Sequence, residues 1–234
     1  MTKKLMFVFA HPDDETFATG GTIVRYARRP DCETVLFCAT RGEAGHPGTP
    51  ALCPKEQLGE VREKELAEAA DVLGIDRVIL RDYGDGRLRE APFDQLVGDV
   101  EARIRREKPD AVVTFPPHGI SGHPDHQVIQ HATREAVARL GNVHQPFLYY
   151  IVIPQSTGII RAAHTTPDRE ITHRIPVAPW RREIMEALRC HRTQHLSVER
   201  VFPGVLDGDW QLLRTTEFYQ SAGKANVISS TELI

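Results

Sequence analysis

Leu5-Met6-Phe7-Val8-Phe9-Ala10 runs directly into His11-Pro12-Asp13-Asp14-Glu15, and the fold is read from this join. Six consecutive apolar residues without polar alternation suit a strand buried on both faces, as in parallel α/β sheets. The run then stops in a cluster of titratable side chains, with proline placed as at the first turn of a helix. Open α/β sheets bind ligands beyond the carboxyl ends of their strands, so this join is both a fold signal and a site signal.

Outward from it, short apolar runs alternate with amphipathic stretches, the pattern of βαβ units. A helix is expected over Thr16 to Arg28 and a second strand over Thr34 to Ala39. A polar segment rich in Gly and Pro follows from Arg41 to Pro54. Gln57 to Leu73 reads as a helix, with Leu58, Val61, Leu66, Ala69 and Leu73 near one face and Gly74 as its stop. Arg77 to Leu80 is a third strand, Asp82 to Arg87 a turn-rich loop, and Phe93 to Lys108 a helix closed by Pro109. Ala111 to Phe115 is a fourth strand, and a helix runs from His123 to about Leu140. Phe147 to Ile153 is β-rich, and Pro179 to Gln194 reads as one helix. Gln155 to Ile175 and the residues from Ser197 onward carry little pattern. The expected fold is a single Rossmann-like domain over residues 1–234. It is a three-layer α/β sandwich on a mostly parallel sheet of order 3-2-1-4-5, with a less regular C-terminal extension.

Composition narrows the function. A net charge of -3 over 234 residues gives no basic footprint for nucleic acid. No stretch is long and apolar enough to span a bilayer, and no signal peptide is read at the N-terminus, so the expected location is the cytoplasm. Cys32, Cys38, Cys53 and Cys190 lack the paired spacing of a disulfide framework or a structural zinc knuckle.

The chemistry is concentrated in two motifs, His11-Pro12-Asp13-Asp14-Glu15 and His123-Pro124-Asp125-His126. Chance alone would supply roughly 0.05 His-Pro-Asp triplets in a chain of this composition. Both motifs lie between a strand and a helix, after strands 1 and 4, whose following loops diverge at the switch point of a 3-2-1-4-5 sheet. They are therefore expected to meet in space. His11, Asp14 and His126 are assigned as ligands of one divalent cation, with a position left for water as in catalytic zinc sites. Asp13 is then placed as general base. His123 is left to polarise a carbonyl or protonate a leaving amine, with Asp125 holding its ring and favouring the charged form. A single Asp-Pro pair would read as ordinary helix capping; the second motif and the spare ligands favour the metal.

On these residues the chain resembles the PIG-L/LmbE-like family of N-acetylglucosaminyl deacetylases, which includes enzymes of the bacillithiol and mycothiol pathways. The resemblance extends through Gly20-Gly21-Thr22, Thr40-Arg41-Gly42-Glu43, Arg62-Glu63-Lys64-Glu65 and Leu73-Gly74-Ile75. It fades after about Tyr150, apart from His191-Arg192-Thr193-Gln194. It implies zinc, or ferrous iron in vivo, on His11, Asp14 and His126, with Asp13 as base and His123, supported by Asp125, as acid or oxyanion donor. It also implies a homo-oligomer acting on a small amino-sugar conjugate, with N-acetylglucosaminyl malate as one candidate. Arg62 and Glu43 match substrate contacts of some members, or are a helix-paired arginine and a loop-surface carboxylate. Arg62 and Arg41 together would suit an anionic substrate, or are packing arginines. Some members carry a tyrosine before the second motif; here that stretch is His118-Gly119-Ile120-Ser121-Gly122.

Two other classes stay in view. A non-haem iron oxygenase uses the same two-histidine, one-carboxylate triad but leaves Asp13 and His123 idle. A non-catalytic sugar- or nucleotide-binding module would be expected to cradle phosphate, yet the first strand-helix turn lacks G-x-G-x-x-G. Gly20-Gly21 is read instead as a place of close helix-strand packing.

Overall fold

The computed structural model describes residues 2–141, 144–157, 163–223 and 230–234. β1 (Lys3–Phe9) lies at the centre of one sheet, with every side chain from Leu5 to Phe9 fully buried. β2 (Cys32–Cys38), β3 (Arg77–Leu80), β4 (Ala111–Thr114) and β5 (Phe147–Val152) all run parallel to it. In β1, β2, β4 and β5 the apolar runs thus become largely buried strands, each buried Leu, Met, Val or Phe contributing about 1.5–3 kcal/mol, while the edge strand β3 buries only Ile79.

The sheet order is β3-β2-β1-β4-β5-β7-β6. Its first five strands have the expected 3-2-1-4-5 arrangement, and β1 and β4 are neighbours, with Phe7 opposite Val113. β6 (His173–Pro176) and β7 (Thr216–Ser221) extend it antiparallel beside β5. Both come from stretches whose sequence shows little pattern; residues 158–162 and 224–229 of those stretches lie outside the described residues.

Helices α1 (Asp14–Ala27), α2 (Leu58–Leu73), α3 (Phe93–Glu107) and α5 (Pro124–Arg139) connect the parallel strands, and Gly119–Gly122 forms a single short turn, α4. Gly74, at φ 77, closes α2 in the left-handed conformation that glycine adopts without strain. The single helix expected over Pro179 to Gln194 is broken. α6 (Arg181–Cys190) ends at His191, whose φ -79 and ψ 57 are not helical, and α7 (His195–Val201) follows one further turn. Gly21 marks close packing, but against Val177 in the segment leading into α6 and not against a strand of the parallel sheet; Gly20 leaves room for ordinary contact with Ile184 and Leu73. A Cβ on Gly21 would stand 2.4 Å from Val177 Cβ.

Candidate active site

The loops after β1 and β4 carry the two motifs to the carboxyl edge of the sheet, where they meet. His11 Nδ1 stands 3.3 Å from His126 Nε2 and 3.4 Å from Asp14 Oδ2. His126 Nε2 is 3.2 Å from Asp14 Oδ1. More than a hundred residues of chain separate His11 from His126, and the switch point closes that gap.

The other atoms of these side chains decide what the cluster can hold. Asp14 Oδ2 accepts the backbone N–H groups of Ala10 (3.2 Å) and His11 (2.8 Å), which fixes the carboxylate beneath the rings. His126 Nδ1 lies 3.0 Å from Gly119 O, so it carries the proton and leaves a lone pair on Nε2. The ring stacks on buried Phe115, centroids 4.0 Å apart. His11 Nε2 faces the carboxylates of Asp85 (3.0 Å) and Asp125 (3.2 Å), so its proton sits there and the lone pair on Nδ1. Two imidazole nitrogens and a carboxylate therefore converge.

Such a trio suits a cation. Donors 2.0–2.1 Å from a tetrahedral ion stand about 3.3 Å from one another; the two imidazole nitrogens are 3.3 Å apart, and the Asp14 carboxylate meets them through different oxygens, Oδ2 toward His11 and Oδ1 toward His126. In the absence of metal a proton takes the cation's place. Burial alone would lower the His11 pKa, but Asp125, Asp14 and Asp85 raise it well above the usual histidine value. Burial would raise Asp14, and His126 and His11 instead hold it well below the usual carboxylate range. Among the described residues, the sets whose donor atoms all lie within 4.8 Å of one another are His11-His123-His126 and His11-Asp85-Asp125; Asp14 approaches the first through His11 and His126. The second set consumes the protonated face of His11 and reads better as its outer support.

Asp85 is absent from the sequence-based site and belongs to it. Its carboxylate, pulled down to about 2 chiefly by His11 against the cost of burial, also accepts Ala44 N at 2.9 Å. Its amide donates to Glu43 Oε1 at 2.7 Å. The signal in the sequence is an aspartate between Gly84 and Gly86 just past a strand, and both glycines take positive φ.

Asp125 supports a different ring from the one expected. Its fully buried carboxylate meets His11 Nε2 and the amides of Gly86 (2.7 Å) and Leu88 (3.2 Å). Only its backbone N–H reaches His123, donating to Nδ1 at 3.2 Å. That contact holds His123 as the tautomer with its proton on Nε2. Burial, then the neighbouring His11 and His126, lower its pKa. This direction runs against the charged form that the sequence reading expects for His123.

Asp13 occupies a conformation rare for any residue but glycine, φ 115 and ψ -30, of the kind that costs about 1–3 kcal/mol. Arg62, nearly fully buried on α2, holds it there. Nη2 donates to Asp13 Oδ2 (3.0 Å) and to Pro12 O, and Nη1 to Gly42 O (2.8 Å). Arg62 thus pairs with the site and not with a helix neighbour. Burial raises the Asp13 pKa to about 6, Arg62 opposing and Asp14 reinforcing the rise. Arg41 instead pairs with Glu63 on the outer face of α2. Glu43 ties its loop to Asp85, with Oε2 buried and unpartnered. His118 accepts Ile120 N and its ring lies beside His164.

Fold and site define a Rossmann-like α/β enzyme scaffold with a buried His/Asp cluster able to hold a metal ion at its switch point. The family described as PIG-L, GlcNAc-PI de-N-acetylase, matches residues 6–137, and the chain belongs to it. The 1D-myo-inositol 2-acetamido-2-deoxy-alpha-D-glucopyranoside deacetylase of Saccharomonospora viridis is 32% identical, with 98% of each chain covered. A probable N-acetyl-alpha-D-glucosaminyl L-malate deacetylase 2 of Bacillus cereus is 31% identical over 67% of this chain and 70% of its own. Among solved structures, the N,N'-diacetylchitobiose deacetylase of Pyrococcus horikoshii superposes with a TM-score of 0.70 at 23% identity. It covers 94% of this chain and 83% of its own, a likeness of fold. No helix among the described residues is long and apolar enough to cross a membrane.

Proposed function

We propose that the chain is a metal-dependent hydrolase that removes the N-acetyl group from an N-acetylglucosamine conjugate. The observation that carries this reading is the convergence of three donor side chains, His11, Asp14 and His126, beside the constrained Asp13. Those three residues would hold the cation. Zinc suits two imidazoles and a carboxylate with room for water, and ferrous iron accepts the same set. When bound, the ion lowers the pKa of water toward 7 and polarises an amide carbonyl, worth several kcal/mol.

The chain's own groups do the rest. With a pKa of about 6, Asp13 is ionised at neutral pH yet basic enough to take a proton from the attacking water. Arg62 occupies its Oδ2, leaving Oδ1 for that proton. The water oxygen bonds to the acetyl carbon, and the Nε2–H of neutral His123 donates to the oxyanion that forms. The carbon–nitrogen bond then breaks, the proton held by Asp13 passes to the departing nitrogen, and acetate and a primary amine leave. An oxygenase gives Asp13 and His123 nothing to do.

The substrate class draws its support from the relatives' names, which share an N-acetylglucosaminyl head and differ in its aglycone. Arg62 is bonded to the site and Arg41 to Glu63, so neither guanidinium argues for an anionic malate over inositol. The same reading assigns a cytoplasmic homo-oligomer with a small soluble partner, checked by fractionation and sedimentation. The decisive assay supplies zinc or ferrous iron and a panel of N-acetylglucosaminyl inositol, malate and chitobiose. It scores acetate, free amine and oxygen uptake. Equal release of acetate and amine without oxygen uptake is expected; oxygen consumption, or no release by metal-loaded protein, refutes the proposal.

A further inference from the structure

The chemistry above uses neither Glu15 nor His191, yet Glu15 is fully buried and His191 only 1% exposed. Glu15 Oε2 accepts the backbone N–H of Asp13 at 3.1 Å. Its Oε1 accepts Thr16 Oγ1–H at 2.6 Å and faces His191 Nε2 at 3.0 Å. One carboxylate therefore reaches back across the start of α1 and clamps the amide of the residue at φ 115. The ring that braces it comes from the break between α6 and α7, beyond the residues matched by the family. His191 Nδ1 is buried without a hydrogen-bond partner, so the ring's polar contacts lie on the Nε2 side, with Glu15 and Thr16.

We propose that His191 is a positioning residue for Asp13. Its Nε2–H fixes Oε1 of Glu15, which turns Oε2 onto the Asp13 amide and so aims the Asp13 carboxylate. A buried carboxylate lacking this donor can rotate about its side-chain torsions; with both donors on one oxygen, the other is committed to Asp13. The inference rests on the proposed hydrolase reading for its kinetic consequence, but its structural core does not.

Two polar substitutions separate positioning from packing. Glutamine places an N–H near the Nε2 position of histidine, whereas asparagine reaches only the Nδ1 position. His191→Gln is expected to keep kcat close to wild type, and His191→Asn to lose about 100-fold, the scale of a misplaced catalytic group. KM and metal content after dialysis should be unchanged in both. In metal-free protein, the amide resonance of Asp13 should stay in place in His191→Gln and move in His191→Asn. Equal kcat in the two variants, a loss confined to KM or metal content, or an unmoved Asp13 resonance in both overturns the proposal. Should His191→Asn fail to fold, Thr16→Val removes the other donor to the same oxygen. Lower kcat with a displaced Asp13 amide is then expected, and no change in either overturns it. If wild-type protein hydrolyses nothing, the hydrolase reading fails, while the resonance comparison still decides the role of His191.

Discussion

Replacing Arg62 by methionine tests how the base is held and tuned. Methionine keeps much of the buried volume and removes the charge 3.0 Å from Asp13 Oδ2. At an effective dielectric constant of about 20, unit charges that close attract by about 5 kcal/mol, an upper bound on what Arg62 does for ionised Asp13. Solvent at the partly exposed Asp13 and relaxation of its loop reduce this, so the Asp13 pKa should rise from about 6 by about one to two pH units. The sign follows from the chemistry: Asp13 must be ionised to accept a proton, so a higher pKa moves the loss of activity to higher pH. The assay is kcat/KM against pH at saturating metal, whose acid limb reports the free enzyme's base. Loss of the bonds to Pro12 O and Gly42 O should also lower the melting temperature. An acid limb that stays in place in a folded Arg62→Met protein would refute either the assignment of Asp13 or its control by Arg62.

The remaining expectations are narrower. Asp13→Asn should retain metal while losing about 100- to 10,000-fold in kcat, scored by amine release. Asp125→Ala and Asp85→Ala each remove a carboxylate from the protonated face of His11, and each should weaken metal affinity about 10- to 100-fold in chelator competition. Gly21→Ala forces a Cβ to 2.4 Å from Val177 and should cost about 1–3 kcal/mol in denaturant unfolding.

The legible part of the chain is the part in which burial and residue polarity agree. Leu5–Phe9 of β1 and Ala111–Val113 of β4 are apolar and fully buried, and the motifs that follow meet where the topology makes β1 and β4 neighbours. β7 defeats such a reading. Its inward residues are Glu217 and Tyr219, while Phe218 is only partly buried, so polarity along the strand is inverted. Glu217 is buried because it accepts the amides of Gly21 and Thr22 at 3.0 and 2.9 Å, a partnership set from the far end of the chain. β6 ends in proline at the sheet edge, where a missing N–H is tolerated but the strand signal is lost. The same limit applies within the site. Ligand identity follows from two local motifs, whereas the supports of His11 depend on how the Gly84–Gly86 turn folds back over β4's loop. Asp85 therefore leaves no local signature, and the Asp125 carboxylate meets His11 although His123 lies only two residues away, reached by the Asp125 amide alone.

Elemental analysis of exhaustively dialysed protein puts the metal centre to the most direct test. About one equivalent of zinc or iron per chain is expected in the wild type, and little or none in His126→Ala that remains folded. A wild type that binds no divalent ion, or a His126→Ala protein that retains it undiminished, would contradict the account.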